Sequence, residues 1–220
     1  VELSDGVLLY DSRINSSTRP SPTRRRFAWS YDGGQSWQDW RIMEVLPDGP
    51  QDMVYGLMGG LARLPVEGRD ILIFSNVDSE TSDSYTYKGQ QYTGSHTGRR
   101  RGTVWASFDG GQTWPIKRLV YQGPFAYSSL AAGRPGTPTE GWVYLQFEGG
   151  PGGHHADCQI ARFNLSWLLE GELTGDGELP DWIVDLADRL GFKDGDLNND
   201  GIINMLDVSI LAGNWFVCEK

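Results

Sequence analysis

Cysteine is nearly absent from this chain: its 220 residues carry two, Cys158 and Cys218. Two thiols do not make the dense disulfide framework that staples small secreted domains, and they either pair with each other or stay free. No run approaches the roughly 18 apolar residues of a membrane-spanning helix, so no helical span is expected. Long helical patterns are scarce as well. Positive charge is in deficit, with 19 Lys and Arg against 29 Asp and Glu and a net charge of −10, which argues against nucleic acid as a partner. No leader precedes the opening VELSDGVLLY, which reads as a strand pattern already under way, so the expectation is of a chain cut rather than begun. What is abundant is Gly (29), Trp (9) and Tyr (9), with 22% charged residues. That composition suits a turn-dense β protein with a substantial core.

One phrase is written twice, SYDGGQSW from Ser30 to Trp37 and SFDGGQTW from Ser107 to Trp114, with six identities in eight positions. Asp-Gly and Gly-Gly supply the positive φ that tight hairpin turns demand. The Asp side chain accepts hydrogen bonds from the turn's own amides, and the Trp lies across the start of the next strand. Short β-like runs surround both copies: 7–10, 27–30, 40–46, 60–64, 70–75, 103–108, 116–121, 142–147 and 159–164, mostly bounded by Gly, Pro or Asp-Gly. At four strands per blade these make a little over two blades of a β-propeller, short of the roughly four or more that close a ring. The polar stretch 78–98 reads as an inserted surface loop. The repeated phrase resembles the Asp-box of sialidases and related propellers. On its own an Asp-box argues fold, so Asp32 and Asp109 are read as structural.

Composition changes at Gly171. From Pro180, PDWIVDLADRLG places Trp182, Ile183, Leu186 and Leu190 near helical spacing. Then comes DLNNDGIINMLD, with Asp196, Asn198, Asp200, Asn204 and Asp207 at loop positions 1, 3, 5, 9 and 12. Gly201 falls at position 6, and Ile202 at position 7 would give its backbone carbonyl. Hard oxygen ligands on alternate residues around a sharp turn suit Ca²⁺. With Asp rather than Glu closing the loop, the segment resembles one calcium-binding repeat of a type I dockerin, which implies a cohesin-like scaffold partner. The division expected is therefore a propeller portion over 1–170, a linker and helix over 171–195, and a calcium-binding repeat over 196–220.

Chemistry is expected in the front portion. The segments LLYDSR and RRRFAWSYDGGQSW resemble a sialidase strand that ends in Asp-Ser-Arg ahead of an Asp-box. The resemblance implies that Arg13 helps clasp the substrate's carboxylate, a task suited to a planar, permanently charged guanidinium. By the same resemblance a second clasp arginine is Arg99, with Arg100 and Arg101 close enough for a one-residue slip. Tyr127, in AYSSL, matches the family's nucleophile. A neutral phenol avoids the repulsion that a carboxylate nucleophile would meet from the substrate's own carboxylate, and it needs an activating base. Glu148, in QFEGG, matches a glutamate that orients a clasp arginine. His154, His155 and Asp157 crowd one Gly-rich loop and read as a solvated turn rather than a metal site.

The family's remaining machinery, an arginine, the acid/base Asp and the Glu that activates the Tyr, belongs upstream of residue 1 in the resemblance. The expectation is thus the C-terminal portion of an exo-α-sialidase, acting on sialylated glycans outside the cell or at its surface. It would be all-β with a small helical tail, and the chain alone would be a poor catalyst. Two alternatives remain open from sequence: a non-catalytic glycan-binding propeller, and a calcium-dependent, scaffold-docked structural protein.

Overall fold

The computed structural model describes residues 1–14, 23–53, 55–94, 96–190 and 216–217. The first sheet is an antiparallel meander of β1 (Leu8–Ser12), β2 (Arg24–Ser30) and β3 (Gln38–Pro47). The second runs β4 (Gly60–Val66), β5 (Arg69–Val77), β8 (Arg100–Ser107) and the first part of β9 (Ile116–Ala132). Strand β9 then changes partner. Its N-terminal half pairs with β8, whereas Phe125 and Ser128 to Ala132 pair with β10 (Val143–Gly149), which is followed by β11 (Asp157–Phe163) and β13 (Phe216–Val217). The result is all-β: successive antiparallel blades, the second and third sharing one bent strand. A short β12 (Glu172–Leu173) pairs with β9, and two helices, α1 (Leu165–Leu169) and α2 (Trp182–Arg189), pack on the core through Leu165, Leu168, Ile183, Leu186 and Ala187. No described helix is long and apolar enough to cross a membrane.

The two repeated phrases join β2 to β3 and β8 to β9, and they build the same tip. In the first, Asp32 accepts from the Ser36 amide (2.9 Å), the Ser36 hydroxyl (2.7 Å) and the Ser30 hydroxyl (2.8 Å), while the Gly34 amide donates to Ser30 Oγ. In the second, Asp109 takes the same bonds from Thr113 and Ser107, and the Gly111 amide donates to Ser107 Oγ. Gly33, Gly34, Gly110 and Gly111 all hold positive φ, as the turn requires. The Ser36 hydroxyl and amide, then the Ser30 hydroxyl, pull the Asp32 carboxyl from 3.8 down to about 2. A depressed carboxyl contributes stability that is present above its unfolded value and lost as pH falls through the folded one. Asp32→Asn is therefore expected to make the acid limb of stability between about pH 4 and pH 2 shallower, measured by denaturant unfolding across that range.

Alternation along the strands creates two cores. Leu9, Phe27, Trp29, Met43 and Leu46 of the first sheet face Leu72, Phe74, Trp105 and Trp114 of the second. Trp114 is fully buried edge-on to Phe27 and Phe74, whereas its counterpart Trp37 is 37% exposed and packs on Tyr10. The same motif position is buried where a neighbouring sheet covers it and exposed on the outer face of the first sheet. The second core lies between β4, β5, β8, β9, β10 and β11 and the helices.

Each of the nine expected runs is a strand. Two features differ from expectation. The insertion 78–98 contains a hairpin, β6 (Tyr85–Tyr87) and β7 (Gln90–Tyr92), with Tyr85 stacked on Tyr92. Strand β9 also continues through Gly123 and Pro124 to Ala132, where the Gly-Pro pair had read as a break. Pro124 falls where the strand changes partners, the kind of irregular position at which a missing amide is tolerated. At this switch Gly102 lies against Phe125: a Cβ there would sit 2.0 Å from the Phe125 ring, itself stacked on Phe147. Gly102→Ala should cost about 1–3 kcal/mol through overpacking, read as a lower thermal midpoint. The expected calcium ligands Asp196, Asn198, Asp200, Ile202, Asn204 and Asp207 lie outside the described residues, as does Cys218.

Candidate active site

The partner switch in β9 carries Tyr127 to one end of the blades, where three elements converge on it. Arg13 follows β1, and its guanidinium carbon lies 5.8 Å from the centre of the Tyr127 ring. Arg99, leading into β8, approaches the same ring at 5.3 Å. The third is the Gly-rich loop after β10, whose His155 ring is 5.8 Å from Tyr127. Glu148 sits where the β9–β10 register shifts between Phe147 and Gly149, beside the stretch that holds Tyr127. The structure thus gathers the residues singled out in sequence, Arg13, Arg99, Tyr127 and Glu148, into one cluster.

Arg13 and Arg99 differ in kind. Arg13 is exposed. Arg99 is 8% exposed and flanked by two aromatic rings, Tyr55 at 5.1 Å and Tyr127. Among the described residues it forms no ion pair; its Nη1 donates to Nε2 of His155 at 2.6 Å, and its Nε has no partner. A buried guanidinium without a countercharge is costly, and such a group can take an anion as its partner. Its sequence neighbours point elsewhere: Arg100 lies over Tyr85 and bonds to Asp83 and Thr81, while Arg101, at φ 58°, turns to Asp78 and Gln122.

The loop 150–157 is built of turns and largely exposed, yet its histidines find partners in the site. His155 Nδ1 lies 2.5 Å from Glu148 Oε2, and its other nitrogen meets Arg99. His154 stacks edge-on between His155 and His96, and His96 Nδ1 lies 3.1 Å from the Tyr55 hydroxyl. The chain's three histidines therefore line one side of the site. Burial first, then the charges of His155 and Arg99, push His154 down to about 4; burial followed by Arg99 and His155 lowers His96 as well. Both are neutral near pH 7 and present an aromatic wall. Among the described residues no group of His, Cys, Asp or Glu is arranged to hold a metal ion. A cavity of about 810 Å³ lined by Leu64, Glu67, Pro135, Glu140, Leu186 and Leu190, among others, takes none of its walls from this cluster.

A buried ion network holds the Arg13 side in place. Arg25 forks onto Asp11 through Nε (2.7 Å) and Nη2 (2.6 Å), and its Nη1 reaches Asp48 (2.9 Å) and the Leu57 carbonyl (3.0 Å). Asp48 also accepts the Ile14 amide at 2.7 Å, so residues 11 and 14, on either side of Arg13, are both tied down. Sequence reading found neither this network nor Tyr55 and His96, because their partners are distant in the chain.

The fold is a segment of successive propeller-type blades. No protein-family model matches the chain. Over 204 residues it is 31% identical to a sialidase from Micromonospora viridifaciens, a match that covers 92% of this chain and 26% of that protein. The chain is thus a homologue of part of a sialidase and spans about a quarter of its relative's length. Among solved structures, "NanB plus Optactamide" superposes with a TM-score of 0.51 at 17% identity, over 78% of this chain and 23% of that one. The intramolecular trans-sialidase from Ruminococcus gnavus, in complex with oseltamivir carboxylate, gives a TM-score of 0.48 at 17% identity, over 76% and 32%.

Proposed function

We propose that this segment supplies the carboxylate clasp and the nucleophile of an exo-α-sialidase centre acting on terminal sialic acid of glycans. The observation that carries the reading is Arg99: buried, without a countercharge among the described residues, and directed with Arg13 at one tyrosine ring. Sialic acid carries its carboxylate on the anomeric carbon. A carboxylate held between the two guanidiniums therefore brings that carbon to Tyr127. The phenol oxygen attacks it as its proton passes to a base that the described residues do not supply. The glycosidic C–O bond breaks, the aglycone leaves as its protonated alcohol, and water then cleaves the sialosyl-tyrosine with net retention, returning the proton to the phenol. The cationic faces of Arg13 and Arg99 stabilise the bound carboxylate.

The Tyr127 ring packs on the core and meets the cationic and imidazole groups of Arg13, Arg99 and His155, and among the described residues no carboxylate hydrogen-bonds to its hydroxyl. The 220 residues alone are accordingly expected to release no measurable product from an aryl sialoside. The discriminating measurement is binding. Titration of the chain with N-acetylneuraminic acid and with its methyl ester, followed by NMR, should show the acid binding and the ester failing. Equal binding of both, or of neither, would sink the carboxylate-clasp reading.

A further inference from the structure

The contact between His155 and Arg99 determines where the histidine's proton lies. An arginine only donates hydrogen bonds, so Nε2 of His155, 2.6 Å from Arg99 Nη1, accepts. The single proton of the neutral ring is then on Nδ1 and is donated to Glu148 Oε2 at 2.5 Å. The three side chains form a line from the end of β10, through the loop, to the arginine that leads into β8. We propose that His155 is a pH-responsive positioning residue: as the neutral imidazole it holds Arg99 toward Tyr127 by linking its guanidinium to Glu148, and on protonation it releases Arg99 and weakens carboxylate binding. The inference rests on the carboxylate-clasp reading of Arg99.

The released state follows from donor inventory. A protonated His155 donates from both nitrogens, so Nε2–H and Arg99 Nη1–H face each other with no acceptor between them, and two cations are brought together. The ion pair with Glu148 survives and tightens, because that carboxylate accepts in either state. The other groups facing His155 do not replace the lost acceptor. Tyr127 offers its ring, Arg13 contacts that ring, and His154 and His96 are neighbours held low first by burial and then by the charges of His155 and Arg99. The proton's added charge is opposed by Glu148 and screened, since the two side chains are 46% and 45% exposed. Loss of aim at Arg99 therefore outweighs any added attraction for the ligand.

The experiment uses the 220-residue chain, with N-acetylneuraminic acid as the probe, between pH 7.5 and 5.5, inside the range over which imidazole changes charge. Histidine ¹⁵N spectra at pH 7.5 should show His155 protonated on Nδ1; a proton on Nε2 overturns the proposal. Wild-type affinity should fall about tenfold across the range, a factor that corresponds to about 1.4 kcal/mol. His155→Phe removes the link and should bind weakly at both pH values. His155→Gln, which can donate to Glu148 and accept from Arg99 without titrating, should recover most of the lost affinity and bind with a flat profile. If the glutamine variant keeps the wild-type pH dependence, or the phenylalanine variant binds like wild type, His155 does not position Arg99. If wild type binds no probe at either pH, the carboxylate-clasp reading fails. The link is then judged by whether the Arg99 side-chain NH signals move with the His155 titration: movement supports it, and constancy rejects it.

Discussion

Asp48→Ala is expected to destabilise the chain by about 3–5 kcal/mol, the usual cost of removing one partner from a buried charge pair. Asp48 is fully buried and Arg25 is 3% exposed, so neither has water to fall back on. Burial opposes the Arg25 charge, yet Asp11 and then Asp48 more than offset it and raise the guanidinium's pKa. Without Asp48, Nη1 keeps the Leu57 carbonyl and the bond from the Ile14 amide to Asp48 is lost. The double variant Arg25→Met with Asp48→Ala tests the cause. In Asp48→Ala the cation stays paired with Asp11, whereas Arg25→Met strands both carboxylates and the double change strands Asp11 alone. The double change should therefore be milder than the sum of the two single ones. Urea unfolding of all four proteins closes the cycle. A loss below about 1 kcal/mol in Asp48→Ala would mean that the network does not hold this corner. Because residues 11 and 14 flank Arg13, the same variant should also weaken binding of N-acetylneuraminic acid.

Such a network is invisible in sequence, and the reason is general to the fold. What could be read were local devices: the two tips at Asp32 and Asp109, whose bonds all close within a few residues, and strands whose alternation and bounding turns are contiguous. Tyr127, Arg13 and Glu148 were found through phrases that resemble a known family, and Arg99 by counting along one. The structure adds what counting could not, namely which of three successive arginines turns inward. Arg101 adopts positive φ, and that irregularity directs its side chain away from that of Arg99. The loop of His155 is the exposed turn its composition implies, but the partners of that side chain are not legible in it. Those partners, Glu148 seven positions away and Arg99 fifty-six away, meet the imidazole only once β8, β9 and β10 are side by side. The insertion 78–98 reads only as an inserted surface loop, and its sequence does not tell that the segment just before Arg99 delivers His96 to the wall of the site.

Arg99→Leu should separate stability from binding. Charge-assisted hydrogen bonds contribute about 1.5–3 kcal/mol each, so losing the buried guanidinium should weaken N-acetylneuraminic acid binding by roughly 10- to 150-fold. Arg13→Leu should cost less, because Arg13 is exposed and its charge is already shared with water. Tyr127→Phe should leave affinity within a few-fold, since it removes only the hydroxyl proposed as the nucleophile and keeps the ring that both arginines face. The folded state responds in the opposite order. Arg99 has aromatic contacts with Tyr55 and Tyr127, about 0.5–1 kcal/mol apiece, and one bond to a neutral imidazole. Against these stands a desolvated charge without a carboxylate partner among the described residues, a penalty of several kcal/mol. Leucine fills most of the space and carries no charge, so the variant should unfold at an equal or higher denaturant midpoint while losing its ligand. That pairing is expected where a site is kept strained for function. A variant that loses stability and binding together would instead make Arg99 a structural residue, and the site would have to be sought elsewhere on the blades.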